Sequence, residues 1–354
     1  MKELLVGTKK GLFVLRGDGP GAFEIATRAF AGDVVEYAMR DPRSGRYFAS
    51  VTSGFYGPRL MWTDDPSGEW EHAATLAMPP DTDATLERVW VIKHGEADGQ
   101  LWAGSDPAAL WESRDGGLTW VRNEALWKER IAGDWQPGLG GLALHSICTW
   151  PGDPKKLAIA VSAAGVWITD DGGSSWRTGY TGLVPEYMPE EARADTNVLC
   201  VHNMHRATLR PERLFMQFHG GVYRSDDEGS TWADIRAGLP SPFGFPLIVD
   251  PADPDSAFVI PMTGAEDRTV PAASLGVYAT RDAGASWTKK GAGLPDHDAY
   301  LTILRQAFDH DGEGADMSLW FGATSGEVFG STDAGASWFT VAPRLAPVTS
   351  VRVA

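Results

Sequence analysis

Short runs of alternating apolar and polar residues recur along the chain, each bounded by Gly, Asp or Pro. Gly11–Leu15 (GLFVL), Gly165–Thr169 (GVWIT), Gly221–Ser225 (GVYRS), Gly276–Thr280 (GVYAT) and Gly326–Ser331 (GEVFGS) align as one element. A period of two, with β-branched and aromatic residues, predicts strands. In most repeats the run leads into a polar turn that closes on Trp. Ser113–Trp120 reads SRDGGLTW, Thr169–Trp176 TDDGGSSW, Ser225–Trp232 SDDEGSTW, Thr280–Trp287 TRDAGASW and Ser331–Trp338 STDAGASW. All share Ser/Thr-x-Asp-x-Gly-x-x-Trp. Thr63–Trp70 (TDDPSGEW) is a further copy with Ser67 at the glycine position, and Arg16–Phe23 (RGDGPGAF) is a worn one.

The aromatic anchors Phe23, Trp70, Trp120, Trp176, Trp232, Trp287 and Trp338 are separated by 47, 50, 56, 56, 55 and 51 residues. That period suits a four-stranded propeller blade. The expected fold is all-β, a single seven-bladed β-propeller domain over residues 1–354. The chain enters at Glu3–Val6 without an innermost strand, and Pro347–Ala354 is a spare strand at the other end. The C-terminal strand is therefore expected to close the first blade, which removes two exposed edges.

The turn has a local mechanism. Asp and Ser/Thr side chains cap backbone N–H groups, Gly supplies positive φ, and Trp packs between neighbouring sheets. On these residues the chain resembles the bacterial Asp-box (BNR) repeat proteins, a sialidase-like, glycosyl-hydrolase-like and sortilin-type propeller group. Trp135–Ile147 (WQPGLGGLALHSI) and Gln217–Trp232 (QFHGGVYRSDDEGSTW) strengthen the resemblance. It implies the propeller and leaves function open, because function resides in sites grafted on folds. Sialidases carry an arginine triad, a Tyr–Glu pair and an early Phe/Tyr-Arg-Ile-Pro motif. Only Arg59 in Gly57–Leu60 comes near that motif, so sialidase chemistry is not expected.

Three connections are longer than the repeat needs: Val121–Leu142, Arg177–Thr196 and Thr263–Leu275. Asn123–Ile131 within the first has the composition of a short helix. By propeller grammar all three emerge on the face opposite the Asp turns, and long loops in compact domains are often functional. Their Trp135, Tyr180 and Tyr187 suit either stacking on a flat ligand or packing the loops down.

Aligning blades through Pro154 and Pro211 places His145 and His202 at one position of adjacent innermost strands, 57 residues apart. Aligning through Pro42 adds Asp33, and a further alignment adds Glu87. His219, before Gly220, and the more peripheral Asp106 lie at the same level. Candidate catalytic residues are thus His145, His202, His219, Glu87 and Asp33. Imidazoles with a carboxylate suit a divalent metal ion, with His145, His202, His219 and Glu87 as ligands and Cys200 as an added candidate. Metal-free acid/base work and a polar plug of the channel are the alternatives. The two function classes are a hydrolase- or lyase-type enzyme on a small polar or sugar-like substrate, and a non-catalytic binding or assembly propeller.

A net charge of −16 argues against nucleic acid or an anionic membrane as partner. A small molecule or carbohydrate, or a protein, fits better. With two cysteines and no visible leader or membrane-spanning run, a cytoplasmic setting is expected.

Overall fold

The computed structural model describes residues 1–80, 82, 84–138 and 140–354, so Leu139 of the Trp135–Ile147 stretch lies outside the described residues. The chain forms an all-β propeller of five four-stranded sheets and one eight-stranded sheet, each strand antiparallel to its neighbour in sequence. In every four-stranded sheet the strands follow chain order from the axis outward. Pairing sequential strands needs only short turns, which is why the hydrophobic alternation closes locally.

The strands around the axis pack in a ring: Val34–Arg40, Arg88–His94, Leu144–Trp150, Val201–Arg206, Gly244–Val249, Ile303–Asp311 and Val348–Val353, which returns to the first. Val348–Val353 pairs antiparallel with Lys2–Thr8, joining the two ends of the chain. It touches Ile303–Asp311 through one parallel pair, Gln306 with Ser350, and that pair makes the eight-stranded sheet.

The core consists of wedges between neighbouring sheets. In one, Ala158, Ala160 and Ile168 face Met204, Leu214, Phe218 and Trp232. The repeated turns staple these wedges. In all five complete copies the leading hydroxyl (Ser113, Thr169, Ser225, Thr280, Ser331) accepts from the glycine N–H at 2.8–2.9 Å. The aspartate Oδ1 accepts from the N–H four residues on at 2.8–3.0 Å. Gly117, Gly173, Gly229, Gly284 and Gly335 all take φ between 81° and 96°, where a side chain would be strained. Trp232 then donates from Nε1 to the carbonyl of Gly179 in the preceding repeat at 3.0 Å, and Trp287 does the same to Ile235 at 2.7 Å. Where Ser67 replaces glycine the turn changes: Ser67 N–H donates to Asp65 Oδ1 at 2.9 Å rather than to the leading hydroxyl.

The helix Glu124–Ala132 sits in the first long connection, with the Asn123 side chain capping Leu126 N–H at 2.8 Å. No helix among the described residues is long and apolar enough to cross a membrane.

Candidate functional site

Each axis-facing strand departs from regular pairing near the loop-rich end. The register shifts bracket Glu36 between Val35 and Tyr37, Trp90 between Val89 and Val91, His145 between Leu144 and Ser146, and His202 between Val201 and Asn203. Further shifts lie between Gly244 and Leu247, between Ile303 and Phe308, and between Val348 and Ser350. A bulge puts an extra residue against its partner strand and re-aims its side chain. Here the repeated bulge positions carry unlike residues, and most of them face the axis.

A cavity of about 740 Å³ opens on that end, and all three long connections contribute to it, through Gln136–Gly138, through Tyr187, Met188 and Asp195, and through Ala265 and Arg268. Its wall includes Glu36, Trp90, His202, Phe245, Arg305 and Thr349 from the irregular positions. A second cavity of about 810 Å³ opens on the other face, with His145, Asn203 and Gln306 on its floor. A polar layer divides the two. Gln306 Nε2 donates to the His145 carbonyl at 2.9 Å, Asn203 Nδ2 to the Arg305 carbonyl at 3.1 Å, and Arg352 Nε to the Tyr37 hydroxyl at 3.0 Å.

Cys200, His202 and His219 meet on the wall of the loop-side cavity, each offering one ligand atom within 4.8 Å of the others. His202 is held by its bulge, and its Nδ1–H donates to the Gly244 carbonyl at 2.6 Å, which leaves Nε2 as a lone-pair donor. His219 follows the strand Leu214–Phe218, and its N–H donates to the Cys200 carbonyl at 3.0 Å, which fixes the two residues side by side. Tyr187 comes from the second long connection, stacks on His219 at 4.2 Å between ring centroids and receives the Cys200 N–H at 3.0 Å. Phe243 and Phe245 enclose His202 at 5.1 and 4.6 Å.

Burial holds both imidazoles below the usual histidine range, assisted by the charges of Arg305 and Arg268, so both are neutral near pH 7. Burial also pushes the Cys200 thiol up to about 11. Neutral imidazole nitrogens suit a zinc-class ion as they stand, and Cys200 would join them as a thiolate, giving up its proton on binding.

The other expected residues lie elsewhere. His145 is buried with Nε2 against the Val201 carbonyl at 2.9 Å and Nδ1 against Ser146 Oγ at 3.0 Å, and it lines the opposite cavity. With both nitrogens engaged it is part of the dividing layer. Asp33 pairs with Arg59 at 3.2 Å and Glu87 is exposed; neither lines the loop-side cavity. The bulge equivalents are Glu36 and Trp90, three residues further on. The alignment that picked Asp33 fails because Pro42 lies two residues past its strand, whereas Pro154 lies inside the returning strand Asp153–Val161; Glu87 came from a separate alignment. Asp106 is buried beside Arg88 at 3.6 Å, and Arg88 reaches Glu36 at 3.7 Å. Burial raises both carboxyls. Trp135 packs on Trp167 at 5.0 Å and ties its loop down. Glu36, Trp90 and Arg305 were not found from sequence.

The comparisons agree on a propeller. An ancestral GH74 enzyme superposes with a TM-score of 0.61 at 15% identity, over 90% of this chain and 38% of that one. YCF48 bound to D1 peptide gives a TM-score of 0.53 at 15% identity, over 90% and 84% of the two chains. At the level of sequence, the oligoxyloglucan-reducing end-specific xyloglucanase of Emericella nidulans is 25% identical over 221 residues, 53% of this chain. The chain spans a quarter of that xyloglucanase's length. No protein-family profile matches the chain. These likenesses show the propeller fold.

Proposed function

We propose that this protein is a seven-bladed propeller enzyme of hydrolase or lyase type, acting on a small polar or sugar-like substrate in the loop-side cavity. The eight-stranded sheet reads as two blades, with Val348–Val353 as the innermost strand of the first. The observation that carries the activity is the meeting of Cys200, His202 and His219 on one cavity wall. A sugar-acting reading is favoured by the xyloglucanase and GH74 likenesses.

Three protein ligands with an open side toward a cavity are the pattern of a catalytic rather than a structural zinc site. A bound ion of that class would lower the pKa of a water molecule or polarise a carbonyl. The chain's own contribution is positional. Gly244 orients His202, Tyr187 and Phe243 fix His219, and the polar layer beneath keeps solvent from crossing the channel. If the site works without metal, His202 Nε2 is the group placed to accept a proton from a bound hydroxyl.

Elemental analysis tests this directly. About one equivalent of a zinc-class metal should be retained after dialysis, and lost in His202→Ala and His219→Ala but kept in His145→Gln. A metal-free protein that gains no thermal stability from added Zn²⁺ would remove the metal reading.

A non-catalytic interaction role has its own support. Phe55 and Tyr56, in a turn between strands Tyr47–Ser53 and Gly57–Thr63, are 95% and 77% exposed. Such aromatics suit a protein partner.

A further inference from the structure

Arg305 lies on the innermost strand Ile303–Asp311, within its irregular segment, and is only 8% exposed. Its side chain forms no hydrogen bond and no ion pair with the described residues, and Nη1 is a buried donor without a partner. The guanidinium lies over Trp90 at 5.0 Å and Phe245 at 5.7 Å, at the wall of the loop-side cavity. Those aromatic faces stabilise a cation in part. They do not replace the hydration that burial removes, which costs several kcal/mol for an unpaired ion.

Arg268 also borders Phe245, with its guanidinium 5.5 Å from that ring. It too has no carboxylate partner among the described residues; its Nε donates to the Ala265 carbonyl at 2.8 Å. The cavity wall carries Lys9, Arg88, Arg268 and Arg305 against Glu36 and Asp195, a basic excess in a chain whose net charge is −16. Glu36 is already engaged by Arg88, and Asp195 caps Asn197 N–H at 2.9 Å. The two arginines around Phe245 are therefore left without a counter-charge.

We propose that Arg305 and Arg268 form an anion clamp, so that the ligand of this cavity carries a carboxylate or phosphate group. The planar guanidinium fork matches either group through paired N–H···O bonds. The clamp is adjacent to the Cys200–His202–His219 wall, because His202 stacks on the same Phe245 ring. An acidic group held by the arginines would place the rest of a sugar acid or sugar phosphate against the imidazoles. The proposal rests on the loop-side cavity being the functional site. It does not require the metal.

Differential scanning fluorimetry of the full chain with D-glucuronate, inorganic phosphate and D-glucose separates the cases. Glucuronate or phosphate should raise Tm in a saturable way, and glucose should not; whichever anion binds more tightly identifies the source of the charge. Arg305→Met should weaken that response by at least about tenfold, because a charge-assisted pair is lost. The same variant should keep or gain stability in the absence of ligand, since it removes an unpaired buried charge. Should Arg305→Met not fold, Arg268→Gln on the half-buried loop gives the second reading, with the same loss of response expected. Equal shifts for glucose and the anions, or anion shifts unchanged in both variants, would overturn the clamp. Metal content measured on the same samples keeps the two proposals apart: Arg305→Met should leave it unchanged, and His202→Ala should remove it while the anion response stays.

Discussion

The two ends of the propeller are built on opposite rules. At one end the same turn is repeated in five complete copies, with the same hydrogen bonds to Asp115, Asp171, Asp227, Asp282 and Asp333. At the other, each axis-facing strand bulges at one level, yet the residues there include Glu36, Trp90, His145, His202 and Arg305. The turns solve one problem, joining each sheet to the next, and a single solution suffices. Apart from His145, which belongs to the dividing layer, these bulges aim side chains at a shared space, and there unlike residues have to converge. Repetition thus marks scaffold, and variation marks the place where the chemistry is proposed.

The ring holds both ends together, so breaking it should have the largest effect. Removing residues 347–354 takes away Val348 and Val351, both fully buried, and the partner of Lys2–Thr8. The expected result is loss of cooperative unfolding and of the native elution volume, read by near-ultraviolet circular dichroism and size-exclusion chromatography. A protein that loses only a few degrees of Tm would show that the ring does not depend on this strand.

The next largest contrast lies between the ends themselves. Trp232→Ala at a turn should cost about 3–5 kcal/mol, the usual loss for a buried Trp, because its ring fills the wedge against the preceding sheet. His202→Ala at a bulge should cost less than half of that and remove metal binding. Chemical denaturation of both variants checks the ordering. Equal losses would mean that the bulges are as structural as the turns.

The scaffold was legible from sequence because its chemistry is local. Asp, Gly and Trp act within eight residues of each other, so the motif contains its own mechanism. The offset between His145 and His202 was legible for the same reason, since two similar repeats share the spacing to Pro154 and Pro211. Glu36 and Trp90 were hidden because a bulge is defined by the pairing of two strands, and turn length varies between repeats. Arg305 was hidden more deeply: its interest lies in the partner it lacks, and no pattern along the chain records that. His145 shows the converse, a residue at the expected position whose nitrogens are taken by Val201 and Ser146.

pH should separate the ends on a scale of about 1–3 kcal/mol. His145 and His202 are held far below the histidine range by burial, so the unfolded chain binds protons first as pH drops. Their contribution is complete above about pH 6.5 and falls by about 1.4 kcal/mol per pH unit for each below that. Glu36 and Asp106, raised by burial, oppose this slope, since folding is relieved when they protonate. The turns respond later: hydrogen bonds from Ser175 and Thr169 hold Asp171 down to about 2, so its support is lost only between about pH 4 and 2. Urea midpoints at pH 7, 6 and 5 should decline, and His145→Gln should flatten the decline. A flat wild-type profile over that range would contradict the burial of the two imidazoles.

The smallest effects test where the bulges place the site. Glu87 is exposed and Asp33 forms only a partly exposed pair with Arg59. Glu87→Gln and Asp33→Asn should each change stability by about 0.5 kcal/mol or less and leave metal and anion binding intact. Glu36→Gln should instead raise stability, because it removes a buried carboxyl whose ionised form the cavity disfavours, and should free Arg88 to strengthen anion binding. Isothermal titration with phosphate on the three variants is the measurement. A loss of binding in Glu87→Gln or Asp33→Asn, with Glu36→Gln unchanged, would return the site to the level picked by the proline alignment. It would also break the rule that the bulges, and not the strand entries, carry the varied chemistry.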